Sequence, residues 1–299
     1  MRFVALIFLT FSASAQTRLY VADSGENRIS IVDVATRKVT GEIRVSPNPA
    51  AMAASADGLR LYVISGTRNA LDVIDVRTSR VVRSVAVGPL PAGIAVSSDG
   101  RRAFLCVDKG VDVIDTASFA RVKNIPAGRG MQDIYLTPDQ TRMIATSKTD
   151  KRLSIINART EQVEFDMPVG GVPQEIAIDA DRNLVIDRLI VQLAGVSGAE
   201  TIDYKTRKVT GKLAVATGAM AVSPDRKTLW AGGVVFSFPD LKRIATYTDG
   251  GSLAFAHDGR RSYVSNPDSN SVSVIDTVTF KELARIPVGS KPGKIVVIE

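Results

Sequence analysis

Short apolar runs rich in valine, isoleucine and leucine alternate along this chain with turns rich in glycine, aspartate, asparagine and proline. Typical runs read LYVIS, LDVID and GIAV, and typical turns read SADG, SSDG and SPDR. The i, i+3, i+4 spacing of an amphipathic helix is missing throughout, whereas short β-branched runs bounded by turn residues are typical of strands. The pattern therefore predicts an all-β protein.

One of these runs recurs seven times, as ISIVD, LDVID, VDVID, LSIIN, ETID, VVFS and SVSVID. Its last position recurs at intervals of 34 to 46 residues. A period near 40 with several short strands in each unit is the signature of a propeller blade. Each unit reads as an inner, a second, a third and an outer strand, so we expect a seven-bladed β-propeller of four-stranded blades. The recurring position is filled by Asp33, Asp75, Asp115, Asn157, Asp203, Ser237 and Asp276.

The two ends of the repeat region predict how the ring closes. The region begins with a second-type strand, TRLYVAD, and finishes with an inner-type strand, GKIVVIE, that has no second strand after it. We expect the C-terminal strand to join the N-terminal three in one blade, because this arrangement removes the exposed edges of an open sheet.

The tetrad Tyr263-Val264-Ser265-Asn266, with the motifs SVIDT and IPVG that follow it, resembles the YVTN-type β-propeller repeat family. Looser forms of the tetrad, LYVAD and LYVIS, stand in the first two blades. The resemblance implies a seven-bladed propeller that acts outside the cytoplasm, and it implies little about activity.

The first fifteen residues have the layout of a secretory signal. Arg2 precedes an apolar run from Phe3 to Phe11, and the small residues of Ala13-Ser14-Ala15 follow it. The run is about half the roughly 20 residues of a membrane-spanning helix. We therefore expect cleavage near Ala15, one propeller domain over residues 16–299, no transmembrane segment, and a periplasmic, secreted or cell-surface location.

The charge distribution and the residue composition narrow the classes of function and site that this chain can support. The net charge is +7, but the charges are dispersed without a run of five or six like residues, so we do not expect nucleic-acid binding. The single cysteine, Cys106, lies in an apolar run and is expected to be a buried thiol. With one histidine, His257, the chain cannot form a His/Cys metal cage or a plausible Ser-His-Asp triad, and we assign no catalytic residue. We expect a monomer.

Recurrence separates scaffold residues from candidate site residues. The acid at the position of Asp276 recurs, as do the acids of the SADG-type turns, and an Asp or Asn there can bond turn N–H groups. Trp230 fills an aromatic position that also recurs. We interpret all of these as structural.

What remains lies in the loops that lead into the inner strands, which share one face around the mouth of the central channel. Blade five is also longer than the others, within DRLIVQLAGVSGAE, and we expect its extra residues on this same face. These segments contribute long polar residues that do not recur, which we predict as the ligand- or partner-binding set: Arg129, Gln132, Asp133, Gln174, Glu175, Arg188, Lys291 and Lys294.

The sequence favours a non-enzymatic module that binds a small ligand or an extracytoplasmic protein at the channel mouth. Two enzymatic alternatives stay open, a lactonase-like metal-dependent hydrolase and the propeller part of a quinoprotein-like redox system. No cofactor is expected, although a calcium or magnesium ion held by carboxylates alone stays open, because hard cations need only oxygen ligands.

Overall fold

The computed structural model describes residues 17–181, 183–195, 198–216, 218–247 and 250–299. These residues form seven four-stranded antiparallel sheets and contain no helix. The predicted seven-bladed β-propeller is confirmed. The predicted signal segment, residues 1–15, lies outside the described residues.

The strands follow one another along the chain from the axis to the rim of each blade. Blade one contains β1 (Arg18–Asp23), β2 (Arg28–Asp33) and β3 (Lys38–Arg44). Blade two contains β4 (Pro49–Ala54), β5 (Arg60–Ser65), β6 (Ala70–Asp75) and β7 (Arg80–Ala86). Blade three contains β8 (Ile94–Val96), β9 (Arg102–Val107), β10 (Lys109–Asp115) and β11 (Arg121–Arg129). Blade four contains β12 (Met131–Leu136), β13 (Arg142–Ser147), β14 (Arg152–Asn157) and β15 (Gln162–Pro168).

The second half of the ring repeats this order with longer and shorter strands. Blade five contains β16 (Val172–Ala180), β17 (Ile186–Ala194), β18 (Ala199–Asp203) and β19 (Lys208–Leu213). Blade six contains β20 (Met220–Val222), β21 (Thr228–Ala231), β22 (Val234–Ser237) and β23 (Arg243–Thr246). Blade seven contains β24 (Ser252–Phe255), β25 (Arg261–Asn266), β26 (Ser271–Asp276) and β27 (Glu282–Pro287). The last strand is β28 (Pro292–Ile298).

The ring closes as predicted. Strand β28 pairs antiparallel with β1, with Val297 opposite Leu19 and Ile295 opposite Val21. It therefore serves as the inner strand of blade one.

The core lies between neighbouring blades. One buried cluster joins Tyr20 of blade one to Met52 and Leu61 of blade two, and equivalent clusters occur around the ring. Trp230 is fully buried and packs edge-on against Phe255 of blade seven, with ring centroids 5.6 Å apart. The interpretation of Trp230 as an aromatic that packs between blades is thus confirmed.

The recurrent aspartates cap turns. In blade seven the carboxylate of Asp276 accepts the N–H of Thr279 at 2.7 Å and the hydroxyl of Thr279 at 2.9 Å. In blade four Asn157 accepts the N–H of Thr160 at 2.9 Å in the same way. The turn acids recur too, since Asp57 accepts the N–H of Leu59 at 3.0 Å. Both sets are explained by the scaffold.

A second set of acids was not recognised in the sequence. Three residues before the recurrent aspartate, blades two, three and five carry the buried acids Asp72, Asp112 and Glu200. Each accepts a backbone N–H from the loop that arrives from the preceding blade, at 2.6 Å, 2.8 Å and 3.0 Å respectively. Because buried carboxylates need such partners, these acids are explained as links between blades and not as site residues.

The extra residues of blade five do not lie on the face that the sequence suggested. Asp181 and Asp203 are 22 residues apart. Arg188, however, pairs with Asp203 just as Arg60 pairs with Asp75 in blade two, and the same number of residues separates the two members of each pair. The added length therefore lies between Asp181 and Arg188, in the hairpin from inner to second strand. This hairpin is at the opposite end of the blade from the channel mouth, and there it exposes Leu184 and Val185.

Candidate binding site at the channel mouth

A cavity of about 650 Å³ opens on the ring axis where the chain enters the inner strands. It is lined by residues from all seven blades. A second cavity of about 360 Å³ adjoins it, sharing Tyr135, Glu175, Ser252 and Lys294, and extends along the inner strands of blades five to seven. Together they form the channel that the propeller fold predicts.

Five of the residues singled out from the sequence line this cavity. All five are half-buried. The structure brings together Gln132, Asp133, Gln174, Glu175 and Lys294.

The other three lie elsewhere. Arg129 and Lys291 are exposed, and their backbone groups hold the loops, with the N–H of Arg129 donating to Asp150 at 2.9 Å and that of Lys291 to Asn270 at 3.0 Å. Arg188 lies at the opposite end of blade five, where it pairs with Asp203 as Arg60 pairs with Asp75 in blade two.

Arg188 belongs to a clamp between blades five and six. Its guanidinium donates to the carboxylate of Asp179 at 2.8 Å and lies 5.4 Å from the ring centre of Phe238. Arg226 of blade six approaches the other oxygen of Asp179 at 3.5 Å. These contacts give Arg188 a structural role at that position.

The strand register makes the seven blades comparable at the mouth. Each inner strand has a buried or half-buried apolar residue that pairs with the second strand, such as Met52 opposite Val63 in blade two and Ile134 opposite Ala145 in blade four. We call the residue just before this apolar position the mouth position. From blade one to blade seven it is occupied by Lys294, Ala51, Gly93, Asp133, Glu175, Ala219 and Ser252.

Tyr135 is a site residue that the sequence reading missed. It follows the apolar position of blade four, where five blades have alanine and blade one has valine. Alignment of the blades on this strand would have revealed the exception, whereas a tyrosine in an apolar strand by itself looks like a core residue. Its hydroxyl lies 3.1 Å from Oδ2 of Asp133 and 3.0 Å from Oε2 of Glu175.

The phenol therefore bridges two carboxyl groups from neighbouring blades. It accepts the N–H of Ile176 at 3.3 Å, and since it has one proton it can donate to only one carboxylate at a time. Burial raises the pKa of Tyr135 well above its usual range, and the charges of Asp133 and Glu175 raise it further. The hydroxyl thus stays protonated at neutral pH.

Charge balance at the mouth depends on blade one. Burial raises the pKa of Glu175, with Lys294 acting against this and Asp133 adding to it. Burial lowers the pKa of Lys294, but the charges of Asp133 and Glu175 outweigh it, so the pKa of Lys294 is raised overall. Lys294 therefore carries its positive charge opposite the two acids.

The remaining reactive residues offer little chemistry. Cys106 is fully buried, and burial raises the pKa of its thiol. His257 is exposed in a turn, 3.1 Å from the carboxylate of Glu299. In the part of the chain that the structure describes, no group of three or more His, Cys, Asp or Glu side chains is placed to hold a metal ion, and no helix is long and apolar enough to cross a bilayer.

No family model and no curated protein matches the sequence. Solved structures do match. The chain is similar to the hydrazine synthase of Kuenenia stuttgartiensis, with a TM-score of 0.76 and 21% identity over 92% of this chain and 99% of that one. It is similar to a functionally unknown protein from Desulfotomaculum acetoxidans, with a TM-score of 0.77 and 13% identity over 94% and 99% of the two chains.

A third similar structure is dihydro-heme d1 dehydrogenase NirN in complex with DHE. The TM-score is 0.72 and the identity 16%, over 96% of this chain and 76% of that one. At these identities the three likenesses show the propeller fold and leave the function to be argued from the site.

Proposed function

We propose that this protein is a non-enzymatic binding module that takes a small polar ligand at the channel mouth. The observation that carries the proposal is the convergence of polar side chains from blades four, five and one at positions where the other blades have Ala, Gly or Ser. A cavity of about 650 Å³ is within the roughly 300–1,000 Å³ typical of ligand pockets.

The proposal also covers where the protein acts and which family it belongs to. The signal-like segment of residues 1–15 supports export to the periplasm or the cell surface. The tetrad at Tyr263–Asn266 supports a place among the YVTN-type propellers. The second partner class that we propose for the same surface is an extracytoplasmic protein, which would place a segment of its chain in the mouth.

The test compares the protein with a variant in which the two polar blades are given blade-two residues. Gln132, Asp133, Gln174 and Glu175 are replaced together by alanine, which stands at both equivalent positions of blade two. A library of polar metabolites is then screened by thermal shift, because a ligand that binds only the folded state raises the melting temperature.

We expect stabilisation by at least one compound with the native protein and none by that compound with the variant. The matched control replaces Arg129 and Lys291, which are exposed beside the mouth, and it should bind as the native protein does. A ligand that stabilises the four-alanine variant equally well would show that the binding face is wrong.

A further inference from the structure

The mouth contains a lysine and two acids that form no direct ion pair with each other. Among the described residues, the ammonium group of Lys294 has no hydrogen-bond partner and no carboxylate within 4.0 Å, although the charges of Asp133 and Glu175 act on it. An ammonium group that lines a half-enclosed cavity and has no direct partner retains all three of its donors for a ligand.

Asp133 and Glu175 differ in whether a carboxylate oxygen remains free to accept a hydrogen bond from a ligand. In Asp133 one oxygen accepts the N–H of Ile134 at 2.8 Å and the other lies 3.1 Å from the phenol of Tyr135. In Glu175 only Oε2 approaches that phenol, at 3.0 Å, so Oε1 is the available acceptor in this cluster. Asp133 and Tyr135 therefore position Glu175, and Glu175 faces the channel.

The neutral groups beside these charges are also available. Gln174 has only a long contact, 3.4 Å, to the carbonyl of its neighbour Pro173. Gln192, by contrast, is used by the scaffold, since its amide donates to Ala216 at 2.7 Å. Between Lys294 of blade one and Asp133 of blade four, the cavity is lined by small and apolar residues of blades two and three, among them Ala51 and Ile94.

We propose that the mouth binds a small zwitterion of the amino-acid class, with its carboxylate on Lys294 and its ammonium group on Glu175. The inference rests on the proposed function and specifies its ligand. The side chain of the ligand faces the small apolar wall of blades two and three, which fits a short aliphatic group.

Charge complementarity favours a zwitterion over simpler ions. A ligand with only a carboxylate meets Lys294 but also faces Asp133 and Glu175, and a ligand with only an amine meets Glu175 but also faces Lys294. Each leaves one half-buried charge beside a like charge, which is the arrangement that disfavours a wrong partner. A zwitterion gives Lys294 and Glu175 each an opposite partner, while Asp133 keeps its contacts with the N–H of Ile134 and the phenol of Tyr135.

The test is calorimetric titration of the full protein with L-alanine, propionate, ethylamine and glucose. We expect L-alanine to bind at least about tenfold more tightly than propionate or ethylamine, since each lost charge-assisted contact contributes about that much. Lys294→Met and Glu175→Gln should each weaken L-alanine binding about tenfold or more, and Lys291→Met, the control for loss of a nearby positive charge, should not change it.

The outcomes separate this inference from the function on which it depends. If glucose or a single ion binds best, and Lys294→Met or Glu175→Gln weakens that binding, the mouth is a binding site and the zwitterion is wrong. If L-alanine binds equally to native protein and both variants, the site is elsewhere and both proposals fall. If none of the four probes binds, the amino-acid inference is overturned, and the library screen alone decides the function. Circular dichroism of each variant confirms that it is folded.

Discussion

The channel has two walls built on the same backbone. In blades two and three the two residues that enter the channel are small, Ala50 and Ala51 in the first case. In blades four and five the equivalent pairs are Gln-Asp and Gln-Glu, in the same strand register. Since the plain wall folds without polar residues, the fold does not require them, and the polar wall needs another explanation. We take that explanation to be a ligand.

Gly93 tests the junction between the two walls. A Cβ atom there would lie 2.5 Å from Cα of Asp133 and 2.9 Å from the carbonyl oxygen of Gln132, so the backbone of blade four would have to move. We expect Gly93→Ala to destabilise the protein by up to about 3 kcal/mol in urea unfolding. Gly293→Ala is the control, because its Cβ would meet no heavy atom closer than 3.8 Å. Equal stability of the two variants would mean that the walls are not tightly joined.

Tyr135 tests whether the polar wall is a connected unit. In Tyr135→Phe the N–H of Ile176 loses its acceptor and the carboxyl groups of Asp133 and Glu175 lose the donor between them. We expect a loss of about 2 kcal/mol in the free energy of unfolding, the range for a buried polar group left without its partner.

The control for Tyr135→Phe is Tyr204→Phe. The buried hydroxyl of Tyr204 has no hydrogen-bond partner among the described residues. Tyr204→Phe should not lower the free energy of unfolding, because it removes a buried hydroxyl that has no hydrogen-bond partner to lose. A Tyr135→Phe variant as stable as this control would show that the phenol does not hold the two acids together.

Asp276 sharpens the contrast between acids that recur and acids that do not. Asp276→Ala removes the acceptor of the Thr279 N–H, and we expect a loss of about 1 kcal/mol with no change in ligand binding. Asp276→Asn should recover most of this, because Asn157 performs the same task in blade four. Val278→Ala, in the same turn but 78% exposed, is the neutral control. Weaker ligand binding by folded Asp276→Ala protein would contradict the assignment.

The smallest expected effect is a pH dependence of opposite sign for these two kinds of acid. Glu175 has a folded pKa above its ordinary value of 4.5, so its contribution to stability is full below that value and is lost as the pH rises through the folded pKa. Asp276 has a folded pKa below its ordinary value of 3.8, so its contribution is present above that value and is lost as the pH falls through the folded pKa.

Urea unfolding from about pH 3 to pH 7 measures both slopes. Glu175→Gln should remove the downward slope above pH 4.5, and Asp276→Asn should reduce the loss at acid pH. A Glu175→Gln profile parallel to that of the native protein would contradict the burial of this carboxyl group.

The architecture was predictable because it is periodic. The intervals between Asp33 and Asp276 determine the number of blades, and the unpaired strand types at the two ends predict the closure that β28 makes with β1. The recurrence of an acid or amide also identified the turn caps correctly. Periodicity carries this information because each blade repeats the same local contacts.

The site was less predictable because it depends on contacts across the ring. Nothing in the repeat indicates that Lys294 of blade one faces Glu175 of blade five. Arg188 was misplaced since a sequence segment that is longer than its equivalents does not reveal which end of a strand pair is extended. Tyr135 was missed because its apolar surroundings match those of a core aromatic.

The mouth position also suggests how selectivity could change in such a ring. The room at this position differs between blades, because a Cβ atom at Gly93 would meet the backbone of blade four, whereas Ala51 is half-buried and lines the cavity. Ala51 is thus the site at which an engineer would introduce charge or bulk, whereas Ala219 and Ser252 are buried and the hydroxyl of Ser252 accepts the N–H of Ile295 at 3.3 Å. New specificities would then arise from substitutions at channel-lining positions of the inner strands, with the rest of the scaffold unchanged.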